Sequence, residues 1–168
     1  MQHGVVRPAA VADVAAMLGI YAPIVQKTAI SFEVDPPTEK EFAERLRRIT
    51  ETDPWLVFDA DGDIVGYAYS SPFKARPAYA RTRETTVYVG DRHRSQRIGR
   101  RLLGSVLDEL TARGNHHALA FITLPNEPSA RLHEGLDFTR AGTLHEVGYK
   151  LGRWHDVGIW ERALDSQT

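Results

Sequence analysis

The 168-residue chain contains no cysteine. That excludes disulfides, thiolate metal sites and a cysteine nucleophile. A transferred group must use another nucleophile or pass directly to its acceptor. No apolar run approaches the roughly 20 residues that span a bilayer. Met1-Gln2-His3-Gly4 leads toward a short strand, without a secretory signal pattern. Net charge is also scarce: 21 Lys and Arg against 22 Asp and Glu leave −1. Any basic cluster is therefore local, unlike the broad basic surface of a general nucleic-acid binder. His93, His116, His117, His145 and His155 show no metal-ligand spacing, and the adjacent pair His116-His117 would diverge on a strand. There is no internal repeat, low-complexity tract or linker. These absences predict a single cytoplasmic domain over 1–168, with no metal, nucleic-acid or membrane partner.

What is present centres on Thr85 to Glu109. Val87, Tyr88 and Val89 favour an extended strand. Ile98, Leu102, Val106 and Leu110 recur every fourth residue, with Leu103 and Leu107 beside them, which lays an apolar stripe on a helix. Gly114 is a plausible stop. Between strand and helix lie Arg92, Arg94 and Arg97, with Arg100 and Arg101 following. A helix N-terminus offers unpaired N–H groups and partial positive charge, so this loop suits a polyphosphate. The alternative is a solvated basic helix end.

Around that centre, Val5-Val6-Arg7 reads as a strand ended by Pro8, and Ala12 to Val25 as a helix that Pro23 breaks or kinks. Thr38 and Glu41 form a capping box opening a second helix, with Phe42, Leu46 and Ile49 on its buried side. Trp55–Asp59 and Ile64–Ser71 pair through an Asp61-Gly62 turn. Ala118–Thr123 is a buried strand, and a short helix follows at Ser129–Glu134. Phe138–Tyr149 and Trp154–Leu164 form a terminal hairpin around Gly152. This is an α+β pattern: a central mixed, largely antiparallel sheet flanked by helices.

Arg94-Ser95-Gln96-Arg97-Ile98-Gly99 resembles the acyl-CoA motif of the GCN5-related N-acetyltransferase superfamily, Arg/Gln-x-x-Gly-x-Gly/Ala, with Arg97 at the first glycine position. Five further blocks resemble the narrower phosphinothricin and methionine sulfone/sulfoximine N-acetyltransferases: Thr28–Phe32, Pro72–Tyr79, Glu84–Val89, Pro125–Glu134 and Gly152–Gly158. The resemblance implies the superfamily fold, with a sheet splayed between its fourth and fifth strands. It implies acetyl-CoA as donor, with no metal, and direct transfer to the amine of a small amino-acid-like acceptor. It also implies a homodimer, with pockets completed across the interface. Pantetheine pairing maps to Val87, Tyr88 and Val89, the pyrophosphate loop to Arg94, Ser95, Gln96, Arg97, Ile98, Gly99 and Arg100, and the motif asparagine to Asn126. The general base maps to Glu84, and acceptor contacts map to Lys74, Ala75, Arg76, Glu84, Thr85 and Thr86.

The chemistry asks for such groups. An ammonium cannot attack a thioester, so a base must take its proton; Glu84 fits, against the alternative of a solvated carboxylate paired with Arg83. The CoA thiolate needs a proton, for which His133, Tyr88 and water are the candidates; His133 is otherwise structural. Lys74 and Arg76 suit an anionic acceptor end, with Phe32 and Tyr79 closing the pocket, unless 73–82 is only a charged surface loop. With a negative φ, Arg97 would keep its N–H for phosphate. Two other functions stay open: a non-catalytic acyl-CoA sensor, and an acetyltransferase for polyamines or peptide N-termini.

Overall fold

The computed structural model describes residues 3–164. A short strand, β1 (Val5–Pro8), leads through a 3₁₀ turn into helix α1 (Val14–Lys27). Helix α1 runs through Pro23 and ends four residues later, where Thr28 Oγ1 caps the Ile24 carbonyl at 2.6 Å. Helix α2 (Glu39–Thr50) starts at the expected capping box: Glu41 Oε2 accepts from Thr38 N at 2.7 Å, and Thr38 Oγ1 accepts from Glu41 N at 3.3 Å. Strands β2 (Trp55–Ala60) and β3 (Asp63–Pro72) meet at a tight turn with Asp61 at φ 56° and Gly62 at φ 100°.

Strand β4 spans Thr82–Val89 and is followed by α3 (Ile98–Ala112), β5 (His117–Thr123) and α4 (Glu127–Glu134). The long hairpin of β6 (Thr139–Lys150) and β7 (Arg153–Ala163) completes the chain. Most boundaries lie within a residue or two of the sequence pattern, α1 being shifted by two at each end and Pro8 lying within β1, and two of the shifts bear on the site. Strand β4 starts three residues before Thr85, because Arg83 pairs with Pro72 and Glu84 with Ser71. Helix α4 starts two residues before Ser129, because Asn126 Oδ1 accepts from Ser129 N at 3.3 Å and acts as N-cap.

The seven strands form one sheet in the order β1-β2-β3-β4-β5-β7-β6. Every neighbouring pair is antiparallel except β4 and β5. Period-two alternation buries β2 on both faces. Leu56 and Phe58 join α3 and Trp160 in one core, while Trp55 and Val57 join α1, α2 and Tyr67 in the other. The α3 stripe is fully inside: Ile98, Leu102, Leu103, Val106, Leu107 and Leu110 are all buried. Among the described residues no helix is long and apolar enough to cross a membrane.

Candidate active site

The parallel pairing of β4 and β5 is short. It covers only Thr82–His117, Arg83–Ala118 and Glu84–Leu119. At the next position Thr85 Oγ1 donates to the Leu119 carbonyl at 3.1 Å, so a side chain takes the acceptor and the strands part. Gly90 N bonds Val65 O at 2.9 Å and Phe73 N bonds Thr82 O at 3.4 Å. With that phase, even-numbered residues of β4 turn their main chain toward β3; Val87 and Val89 turn theirs toward the gap. Of the three residues that the resemblance gives to pantetheine pairing, Val87 and Val89 thus offer their main chain to the gap. Tyr88 bonds across to Tyr67 and is among the residues that line the opening.

The gap opens a cavity of about 430 Å³. Its walls are β4 residues Glu84–Tyr88, β5 residues Ala120–Thr123, the loop Ile30–Phe32, and Asn126, Ser129 and His133 from the α4 region. Tyr69, Leu144, Val147 and Val157 complete it. The predicted contacts Phe32, Glu84, Thr85, Thr86, Val87, Tyr88, Asn126 and His133 therefore converge. Lys74, Ala75, Arg76 and Tyr79 do not reach the lining. Lys74 Nζ instead sits over the rings of Phe73 and Tyr79, at 4.9 and 5.5 Å from their centroids. Phe73 in turn stacks on Phe121 of the cavity wall at 6.1 Å. Ser31 and Tyr69 are lining residues that the motifs did not single out. The only available signal was Ser31's place within the Thr28–Phe32 block.

Glu84 lies inside β4, at the point where the strands begin to part. Among the described residues nothing donates to its carboxylate, and burial raises its pKa above the ordinary glutamate value. Arg83 does not pair with it. On the opposite face of the strand, Arg83 Nε lies 3.0 Å from the buried Asp53, which also accepts from Ser70 Oγ at 2.7 Å. The Arg83 Nε contact is close enough for an ion pair but poorly aligned for a hydrogen bond.

His133 is 3% exposed, with its ring edge-on to Phe138. Its Nδ1 lies 2.8 Å from the Ser129 carbonyl, which only accepts, so Nδ1 carries the proton. Among the described residues the buried Nε2 has no partner. Burial lowers the imidazole pKa, so the ring is held neutral, with a bare acceptor at Nε2. Burial also raises the phenols of Tyr69 and Tyr88, which keep their protons.

Beyond the strand ends, the basic loop divides. Arg94 pairs with Asp91 at 2.7 Å in an exposed contact. Arg101 turns away to donate to Gly4 O at 2.9 Å and to cover Phe58. Arg100 leans over Gly135, where an added Cβ would lie 2.8 Å from its Nη1. Ser95 and Arg97 both adopt left-handed backbone, φ 63° and 62°. The negative φ that would keep the Arg97 N–H for phosphate is not adopted: Arg97 takes the conformation in which glycine is at ease. Its residue is the N-cap of α3, so the free N–H groups of the first turn still face the loop. The open β4 edge, this helix start and the unpartnered His133 Nε2 together fit an extended donor ending in a pyrophosphate.

Left-handed backbone costs a non-glycine residue about 1 kcal/mol or more. Arg97→Gly should therefore hold or raise the melting temperature, by up to about 2–4 °C for a domain of this size. Arg97→Val should lower it, since a β-branched side chain is worst at positive φ. Thermal unfolding of the two variants checks this; a lower melting temperature for Arg97→Gly would contradict it.

Residues 6–159 match the acetyltransferase (GNAT) domain family. The chain belongs to the GNAT acetyltransferase family. It is 43% identical over 160 residues to a phosphinothricin N-acetyltransferase of Streptomyces viridochromogenes, covering 95% of this chain and 87% of the relative. It is 34% identical to an L-methionine sulfoximine/L-methionine sulfone acetyltransferase of Salmonella typhimurium, covering 94% and 92%. It is also similar to the crystal structure of a phosphinothricin acetyltransferase from Sinorhizobium meliloti in complex with acetyl-CoA, at TM-score 0.94 and 34% identity, covering all of this chain and 91% of that one. The GNAT fold is thus the splayed sheet described above.

Proposed function

We propose that this acetyltransferase moves the acetyl group of acetyl-CoA to the free amine of a small amino-acid-like acceptor, such as phosphinothricin, methionine sulfone or methionine sulfoximine, in the cytoplasm. The observation that carries the reading is Glu84: an unpaired carboxylate, its pKa raised by burial, at the point where the sheet opens.

In this reading Glu84 takes a proton from the acceptor ammonium, directly or through one water. The amine nitrogen then attacks the thioester carbonyl carbon. A C–N bond forms, charge builds on oxygen, the nitrogen releases its second proton to solvent, and the C–S bond breaks. Main-chain N–H groups of Val87 and Val89 face the gap and suit the growing oxyanion. The α3 N-terminus with Arg94 and Arg97 holds the pyrophosphate. His133 accepts a hydrogen bond at Nε2 from an N–H or S–H of the pantetheine arm. As an acid toward the thiolate it would first have to become an imidazolium, which burial opposes, so the thiolate proton returns from Glu84 or solvent.

A panel of amines assayed by free CoA release tests the acceptor class. Acetylation of phosphinothricin or methionine sulfone is the expected result. Turnover confined to polyamines or peptides would overturn the acceptor assignment, and CoA binding without any turnover would favour a sensor.

We also propose a homodimer through the terminal hairpin. Leu144, Val147, Tyr149, Leu151 and Trp154 are all exposed large apolar residues on or beside the edge strand β6. A cluster of that kind at a sheet edge is an interaction surface. Leu144 and Val147 also line the cavity, so a partner there would close it. Sedimentation should give a dimer for the wild type and a monomer for Leu151→Glu/Trp154→Arg; a monomeric wild type would rule this out.

A further inference from the structure

Lys150, at the end of β6, is 7% exposed. Its Nζ donates to the main-chain carbonyl of Ser31 at 2.6 Å, across 119 positions of sequence. No carboxylate lies within ion-pair distance of it among the described residues. Glu33 attracts the ammonium from farther off, while its own carboxylate is held by Arg45 at 2.5 Å. A buried ammonium with one carbonyl partner is costly, and methionine would fill the same volume without that cost. What lysine adds is a fixed link between the terminal hairpin and the loop that roofs the cavity.

The neighbouring residues share that geometry. Ser31 Oγ pairs with Tyr21 Oη at 2.7 Å and also accepts from Glu33 N at 3.2 Å. His155 Nε2 donates to the Lys150 carbonyl at 3.0 Å, and its ring lies 6.2 Å from that of Phe32. Phe32 rests directly on Gly148: an added Cβ there would lie 2.2 Å from Phe32 Cε2. Gly148 is therefore the seat of the Phe32 ring, and Lys150, two residues on, holds the carbonyl just before it. Phe32 stands at the cavity rim, 39% exposed.

We infer that Lys150 and Gly148 are positioning residues for acceptor binding: the hairpin holds Ser31 and Phe32 as a preset roof, and Phe32 sets the size of side chain that the acceptor can carry. This rests on the small-amine acetyltransferase reading. It also makes the hairpin edge, the proposed dimer surface, continuous with the acceptor pocket.

The test uses Lys150→Met, Gly148→Ala and Phe32→Ala in the full chain. With methionine sulfone or phosphinothricin as acceptor, Lys150→Met and Gly148→Ala should each raise acceptor KM about tenfold, the scale of one charge-assisted hydrogen bond or a displaced ring. The KM for acetyl-CoA should stay within about twofold, since its contacts lie on β4 and α3. In a Phe32→Ala background neither substitution should add more than about twofold, because the group they position is gone. Hydrogen exchange gives a second readout that needs no acceptor: amides of 28–33 should exchange faster in Lys150→Met, with α3 unchanged. Unchanged exchange there, equal rises in both KM values, or full multiplication with Phe32→Ala would each overturn the inference. If the wild type acetylates no small amine, the functional reading falls, while exchange still judges the link.

Discussion

Glu84→Gln lowers kcat/KM by about 10² to 10⁴, the range in which a positioned general base contributes, while acetyl-CoA affinity stays within about twofold. The two effects separate because Glu84 lies at the closed end of the splay, whereas the proposed donor contacts lie along Val87 and Val89 and at the start of α3. The wild-type rate profile carries a second signature. As the proposed base, Glu84 must be ionised to act, and burial raises its pKa, so the acid limb of kcat/KM is expected above the ordinary glutamate range. That limb disappears in Glu84→Gln. Stability runs the other way. A carboxyl whose folded pKa exceeds its unfolded one binds its proton more tightly in the native state. Its stabilising contribution is complete below the unfolded pKa and is lost as pH rises through the folded one. At neutral pH the ionised, unpaired Glu84 therefore weakens the fold. Glu84→Gln should melt no lower than wild type at pH 7, and the difference should close in acid. Wild-type turnover by Glu84→Gln would remove the residue from the base role.

The parts of this architecture that could be read from the chain are those set by neighbours in sequence. The α3 stripe, the Thr38–Glu41 capping box and the Asp61-Gly62 turn each depend on local spacing, and each stands where that spacing puts it. Long-range pairing decided the rest. The phase of β4 against β3 determines that the main chain of Val87 and Val89, not that of Tyr88, faces the gap. Arg83 chose Asp53, thirty positions upstream, and left Glu84 alone. Lys74 folded onto Phe73 and Tyr79 instead of turning to the cavity, since a cation finds a ring face wherever the loop brings one near. The left-handed φ of Arg97 follows from the loop closing onto α3, which side-chain preference alone does not signal. Resemblance maps a donor contact to Asn126, whose side-chain carbonyl oxygen here starts a helix. Lys150 carried no signal at all, because its partner is a main-chain carbonyl, which every residue has.

Leu102→Ala should give the largest loss of stability among single truncations of the α3 stripe. Leu102 is completely buried in the core between α3 and the sheet. Gly66 of β3 lies directly beneath it: a Cβ there would come within 3.1 Å of Leu102 Cδ1. The opposing residue has no side chain with which to fill the space, so the cavity stays open and the cost falls toward the upper part of the usual range, about 3–5 kcal/mol. For a chain of this length that lowers the melting temperature by roughly 10 °C. In the proposed function the N-terminus of the same helix holds the donor pyrophosphate, so the loss and that site are connected. Acetyl-CoA at about 100 times its dissociation constant returns near 2.7 kcal/mol to any protein that binds it only when folded. If the first turn of α3 keeps its geometry once the chain is folded, wild type and Leu102→Ala gain the same free energy from the ligand. Their melting curves then move up in parallel. A variant that melts low and gains nothing from acetyl-CoA would show that packing beneath Leu102 also sets the aim of those N–H groups; one that melts like wild type would remove the α3–Gly66 contact from the account of the core.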